Sequence, residues 1–164
     1  MKFTNRVLFL VWYLLSANTT FAFTHSDTLR GSNGRGRAWW DVMRYDLQIT
    51  IDTANRMISG NNKITFKVTQ NPTDSMQLDL QNPMEIDSVL LMLNTDGGSS
   101  ERLPIVHEEN VWWVKYPFHQ LKTGERFSVT VYYKGKPRAA VNPPWDGGFS
   151  WALDNSGKQW VSVS

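Results

Sequence analysis

Tyr45-Asp46-Leu47-Gln48-Ile49-Thr50-Ile51 alternates strictly between apolar and polar side chains. Tyr45, Leu47, Ile49 and Ile51 fall on one face of an extended chain, and Asp46, Gln48 and Thr50 fall on the other. Successive side chains of a strand point to opposite faces, so this spacing predicts a half-buried strand with one wet side. The pattern recurs. Ile64, Phe66 and Val68 alternate with Lys63, Thr65 and Lys67, and Leu78 and Leu80 alternate with Gln77, Asp79 and Gln81. Phe127, Val129, Val131 and Tyr133 alternate with Ser128, Thr130 and Tyr132. Ile86 to Leu93 is more continuously apolar, which predicts a strand covered on both faces, with a buried helical turn as the alternative.

Turn-forming residues separate these runs: Ser59-Gly60-Asn61-Asn62, Asn71-Pro72, Asn82-Pro83, Asp96-Gly97-Gly98, Gly124 and Lys134-Gly135-Lys136-Pro137. No window of helical length carries an apolar stripe of period 3.6. Short strands with regular turns predict an all-β fold, an antiparallel β-sandwich or saddle-like sheet pair. Trp39-Trp40 and Trp112-Trp113 each read as one core and one surface residue, because neighbours in a strand face opposite ways.

The amino terminus has a different grammar. Lys2 and Arg6 precede an unbroken apolar run from Val7 to Leu15, and Thr20-Phe21-Ala22 offers a small-x-small cleavage site. This is the anatomy of a secretory signal peptide over residues 1–22. The run is short of the about 20 apolar residues that a membrane span needs, so no stable membrane span is expected once it is removed. Residues 23–38, rich in Ser, Thr, Gly, Asn and Arg, read as a flexible leader, and 39–164 as one β-sandwich. The expected location is periplasmic or secreted.

Composition narrows the chemistry. The chain has 17 Lys and Arg against 15 Asp and Glu, and Lys2 and Arg6 account for the whole excess. The remainder is balanced and carries no electrostatic footprint for nucleic acid. With no cysteine there is neither a disulfide framework nor a thiol nucleophile. No G-x-S-x-G elbow occurs, carboxylates are scattered, and the glycines lack the strand-to-helix context of a phosphate loop. His107-Glu108-Glu109-Asn110-Val111 opens like the zinc motif H-E-x-x-H, but Val111 stands where the second imidazole belongs. The segment reads as a polar loop before a strand, His119 as a loop histidine, and His25 as part of the leader. The chain is expected to hold no catalytic residue and no cofactor.

Asn142-Pro143-Pro144-Trp145-Asp146-Gly147-Gly148-Phe149-Ser150-Trp151 is the most unusual stretch. Two prolines stiffen it, two glycines free the backbone, and three aromatic residues lie within seven positions. Three readings are open: a platform that stacks on sugar rings, a loop that docks on a second domain, or a hairpin whose aromatics plug the core.

Several segments together resemble the N-terminal domain of the aminopeptidase N family of gluzincin zinc metallopeptidases. They are Asp41 to Asp52, Ile58-Ser59-Gly60-Asn61-Asn62-Lys63-Ile64-Thr65-Phe66, Leu78-Asp79-Leu80, Val129 to Arg138, and Pro144-Trp145-Asp146-Gly147-Gly148-Phe149. Their order covers residues 40–164, and the last segment is similar to a secreted bacterial branch. The resemblance implies a β-saddle domain packed beside a thermolysin-like catalytic domain, which holds the zinc and reaches peptides. It also implies that the family's substrate-contacting Gln falls just beyond Ser164. An interface with that catalytic domain is expected at Trp145, Asp146, Gly147, Gly148, Phe149, Trp151 and Trp160. The other class of function is a free-standing secreted module that binds carbohydrate on Trp145, Phe149 and Trp151.

Overall fold

A computed structural model describes residues 24–92 and 99–164. The expected signal peptide (residues 1–22), Leu93 and the Asp96-Gly97-Gly98 turn lie outside the described residues. No helix of the described residues is long and apolar enough to cross a membrane.

The period-two runs become antiparallel strands. Five form one sheet in the order β1 (Trp40–Asp52), β2 (Met57–Val68), β8 (Arg126–Gly135), β4 (Glu85–Met92), β5 (Ser100–Leu103). Three short strands form a second sheet in the order β3 (Ser75–Asp79), β7 (Val111–Lys115), β6 (Ile105–Glu108). A separate two-stranded hairpin follows, β9 (Phe149–Leu153) and β10 (Gln159–Val163). The architecture is the expected all-β sandwich.

Alternation explains the core. Ile64, Phe66 and Val68 of β2, Val129 and Val131 of β8, and Ile86, Val89 and Leu91 of β4 share the inner face of the large sheet. Met76 and Leu78 of β3 and Trp112 and Val114 of β7 meet them from the small sheet. Trp39 joins the two layers. Its ring contacts Phe66 (5.9 Å) and Phe118 (5.0 Å), and its indole N–H donates to the Ser75 carbonyl of β3 (3.2 Å). Each such side chain, fully buried, stabilises the fold by roughly 1.5–3 kcal/mol.

The tryptophan pairs divide. Trp112 lies in the core and Trp113 on the opposite face, as alternation requires. Trp39 and Trp40 both pack on Phe66, because Trp39 precedes the strand and is not bound by its alternation. His107 lies in strand β6, not a loop, and stacks on Trp112 with ring centroids 4.1 Å apart. The Glu109-Asn110 turn that closes the β6–β7 hairpin begins two residues later than the sequence pattern suggests.

The expected flexible leader is the clearest correction. His25–Gly31 forms a helix, α1, opened by a capping box: Asp27 N–H donates to Thr24 Oγ1 (3.2 Å), and Thr24 N–H donates to Asp27 Oδ2 (2.9 Å). The helix is fastened to the β6–β7 turn through His25–Glu108 (2.9 Å) and a Ser26–Glu109 hydrogen bond. Beyond it, the Gln77 N–H donates to the Gly36 carbonyl (2.9 Å), so the segment caps the outer edge of β3. A Cβ on Gly36 would lie 2.6 Å from the Trp113 ring, and only glycine lets the backbone approach this closely. Polar composition concealed these local devices.

One part of the large sheet behaves differently from the rest. Val42 pairs with Phe66 and Arg44 with Thr65, so Met43 is an extra residue, a β-bulge. It switches the inward parity from Trp40 and Val42 to Tyr45, Leu47, Ile49 and Ile51. That apolar row faces the core side, as its alternation requires, but the small sheet does not reach it. The four residues are 59, 61, 47 and 47 % exposed. Beside them the Gln48 carbonyl leans over Gly60 and accepts the Tyr133 hydroxyl (3.2 Å). A Cβ at Gly60 would lie 2.0 Å from that oxygen.

Phe66→Ala should therefore cost about 3–5 kcal/mol, whereas Leu47→Ala, at low protein concentration, should cost under about 1 kcal/mol. Gly60→Ala should cost about 1–3 kcal/mol, because β1 must shift off the new methyl group. Denaturant midpoints check all three, and equal losses at Phe66 and Leu47 would contradict the uncovered row.

Candidate interdomain docking surface

The seven residues singled out by sequence lie in the last quarter of the chain, and the structure brings only some of them together. Asn142 starts a tight turn in which its carbonyl accepts the Trp145 N–H (2.9 Å). Trp145 stands at the tip, 88 % exposed. Asp146 turns back beneath it, and its Oδ2 accepts the N–H groups of Val141 (2.5 Å) and Asn142 (2.9 Å). Gly147 and Gly148 adopt φ of +66° and +128°. A Cβ on Gly148 would fall 2.8 Å from both the Arg138 oxygen and the Ala140 nitrogen. Gly148 also exchanges two backbone hydrogen bonds with Ser164 (3.0 and 3.1 Å), which locks the loop to the end of β10.

Register then sorts the hairpin. Phe149 pairs with Val163, Trp151 with Val161 and Leu153 with Gln159, so these six share one face. The Phe149 and Trp151 rings stack along it, 5.5 Å apart and 19° from parallel. Trp160 pairs with Ala152 and faces the other way, 61 % exposed. Trp145, Phe149–Trp151 and Trp160 are thus three separate aromatic features and not one continuous platform. Leu153 and Val163 are exposed as well. Sequence reasoning passed over both, although the alternation of β9 and β10 carried the signal.

The hairpin forms ladder hydrogen bonds with neither sheet. An isolated bridge from Ala139 to Phe149 ties it to the chain leaving β8. Its far end is closed by Asp154, whose Oδ1 accepts the N–H groups of Ser156 and Lys158 (both 2.8 Å). An isolated two-stranded hairpin is marginal in water, so one with bare Trp160, Leu153 and Val163 is suited to cover by another surface.

A second feature is a groove of about 850 Å³ on the open side of the sandwich, between β1 and β3. Tyr45, Leu47, Leu78, Leu80 and Tyr133 line it, and Arg37, paired with Asp79, stands at its mouth. The residues present do not fit a zinc site. Among the described residues no three His, Cys, Asp or Glu side chains converge. His25 engages Glu108, His107 stacks on Trp112, and His119 pairs with Asp74.

The Asp146 carboxyl is held below the ordinary carboxylate range, first by the Asn142 N–H and then by that of Val141, which together outweigh its partial desolvation. A lowered folded-state pKa means that its contribution to the loop is complete above the ordinary carboxylate range. The contribution is lost as pH falls through the lowered value. The Val141 and Asn142 amide resonances should accordingly titrate below the ordinary range, and Asp146→Asn should abolish that titration. A midpoint at or above the range would contradict the assignment.

No family model matches the sequence, and no curated protein matches it. Solved structures share its fold. An M1 zinc metallopeptidase from Deinococcus radiodurans, a mutant bound to a Tyr-Ser-Ala substrate, is 22% identical with a TM-score of 0.53, over 76% of this chain and 28% of that one. A two-domain form of an M1 zinc metallopeptidase mutant bound to L-tryptophan gives the same identity and score over 76% and 29%. Yeast LTA4 hydrolase in complex with bestatin is 15% identical, with a TM-score of 0.52 over 76% and 18%. The chain spans less than a third of the length of these structures, and what it shares with them is the all-β fold of one portion.

Proposed function

We propose that this chain is the non-catalytic N-terminal β domain of an exported zinc-dependent aminopeptidase. It would dock through the Trp145 loop and the β9–β10 hairpin onto a thermolysin-like catalytic domain. The observation that carries this reading is the fold likeness, which takes in most of this chain but under a third of each M1 zinc metallopeptidase chain. Supporting it, β9 and β10 stand outside both sheets and expose Trp160, Leu153 and Val163. Zinc and peptide chemistry would reside in the catalytic domain. This chain's own part is mechanical: Gly148, Asp146 and Ser164 hold the loop and hairpin in one fixed relation, so an attached domain would meet a preformed surface. Export rests on Lys2, Arg6 and the run Val7 to Leu15.

One observation favours a second reading, a carbohydrate-binding module: Trp145 presents nearly its whole ring to solvent. Against it, Trp145, Phe149 and Trp151 do not form one platform.

The chain alone, supplied with zinc and an amino-acid arylamide, should release no arylamine, and clear zinc-dependent hydrolysis would refute a non-catalytic domain. DNA downstream of codon 164 should encode H-E-x-x-H, in frame or shifted. Glycan-array binding lost in a folded Trp145→Ala variant would favour the carbohydrate module instead.

A further inference from the structure

β1 is an edge strand of thirteen residues, and among the described residues no strand pairs with its outer side. Such an edge presents a row of unpaired backbone donors and acceptors, which proteins ordinarily cover, shorten or interrupt. β3, the corresponding edge of the small sheet, is capped through Gly36. Nothing described does this for β1. Its inner face also carries the bare row Tyr45, Leu47, Ile49 and Ile51. An unpaired edge and an exposed apolar row on the same seven residues call for a strand that pairs with the edge and sets apolar side chains beside the row.

The residue order identifies a self-complementary partner. If β1 is laid antiparallel on a second β1 with the two-fold axis at Gln48, Leu47 meets Ile49 and Tyr45 meets Ile51 on the inner face. On the outer face Arg44 meets Asp52, Asp46 meets Thr50, and Gln48 meets itself. Every apolar residue falls opposite an apolar one, and the axis generates the Arg44–Asp52 pair twice. Arg44 and Asp52 are both exposed, and the pairing would draw Arg44 from its contact with Asp46 and Asp52 from the backbone and side-chain N–H groups of Asn55. Neighbouring registers are poorer. A shift by two residues in one direction sets Asp46 against Asp52, and in the other it leaves both Arg44 and Asp52 without a charged partner. A shift by one turns the apolar row of the copy to the wrong face.

Backbone geometry agrees with this axis. The Gln48 carbonyl is turned toward β2, where it accepts the Tyr133 hydroxyl. Backbone groups alternate in direction along a strand, so those of Leu47 and Ile49 point to the free edge, where the two-fold axis sets them opposite each other. We propose that two copies of this chain associate through β1, antiparallel about Gln48, to form one continuous sheet across both molecules.

Sedimentation of the purified chain should show a concentration-dependent dimer. Arg44→Glu and Asp52→Arg should each weaken it by about tenfold or more, because each places like charges at two symmetric sites. The double variant Arg44→Glu/Asp52→Arg should restore it. The chain has no cysteine, so Gln48→Cys provides an independent test. Residues paired across the axis lie about 4.5–5.5 Å apart, within reach of a disulfide, and mild oxidation should give a covalent dimer. Lys63→Cys, on the outer face of β2, should give no covalent dimer. A chain that is monomeric at every concentration overturns the proposal. So does a dimer indifferent to both charge reversals, or one cross-linked equally at Gln48 and Lys63. Neither readout depends on peptidase activity, so this proposal and the aminopeptidase reading fail separately.

Discussion

The structure is governed by a mismatch in length between its two layers. β1 and β2 run for 13 and 12 residues, and β3 and β7 for five each. At about 3.3 Å per residue the long strands extend about 40 Å and the short ones about 17 Å. The small sheet can therefore cover less than half of the large one, and the core gathers where the two overlap. Trp39, Phe66 and Phe118 are packed there, with Met76, Leu78, Trp112 and Val114 pressing from the small sheet. Past the overlap the same inward-facing alternation continues on β1, where no described residue of the small sheet covers it.

The edges follow from the same mismatch. Two sheets of unequal length leave the sandwich open on the side where β1 and β3 lie, and the groove between them is that opening. The chain covers the β3 edge with its own amino-terminal segment. α1 is latched to Glu108 and Glu109, Gln77 donates its side-chain N–H to the Leu29 carbonyl (2.9 Å), and Gly36 completes the edge of β3. These contacts are mostly exposed and polar, and individually worth little. Together they protect a strand edge, and that matters more than their sum as ion pairs. The β1 side receives no such cover from the described residues.

How much of this was legible depended on the range of the interaction. Period two in Ile64–Val68, Phe127–Val131 and Gln77–Asp79 identified real strands, although β3 ends one residue short of Leu80, because alternation is a property of the backbone and needs no partner. It also placed Tyr45, Leu47, Ile49 and Ile51 on the right face. What it could not supply was cover, which depends on the length of a different sheet. The leader was misread for the opposite reason: Thr24 with Asp27, and Gly36 against Trp113, are single local devices hidden in a polar composition. At the hairpin the aromatic residues were recognisable by type. Their division between two faces emerged only once Trp151 was paired with Val161 and Trp160 with Ala152.

The bulge at Met43 ties the covered and uncovered parts of β1 together. Trp40 and Val42 pack against the core with even parity, opposite Val68 and Phe66. Without an extra residue, Arg44, Asp46, Gln48 and Thr50 would continue on that inner face, and the apolar row would turn outward. Arg44 and Asp46 would then crowd the apolar groove beside Leu78 and Leu80, where burying a charge is costly. The bulge instead keeps the groove apolar and confines the charges to the outer face. It comes within three residues of the point where the small sheet stops covering β1. One inserted residue thus separates the half of the strand that builds the core from the half that faces a partner.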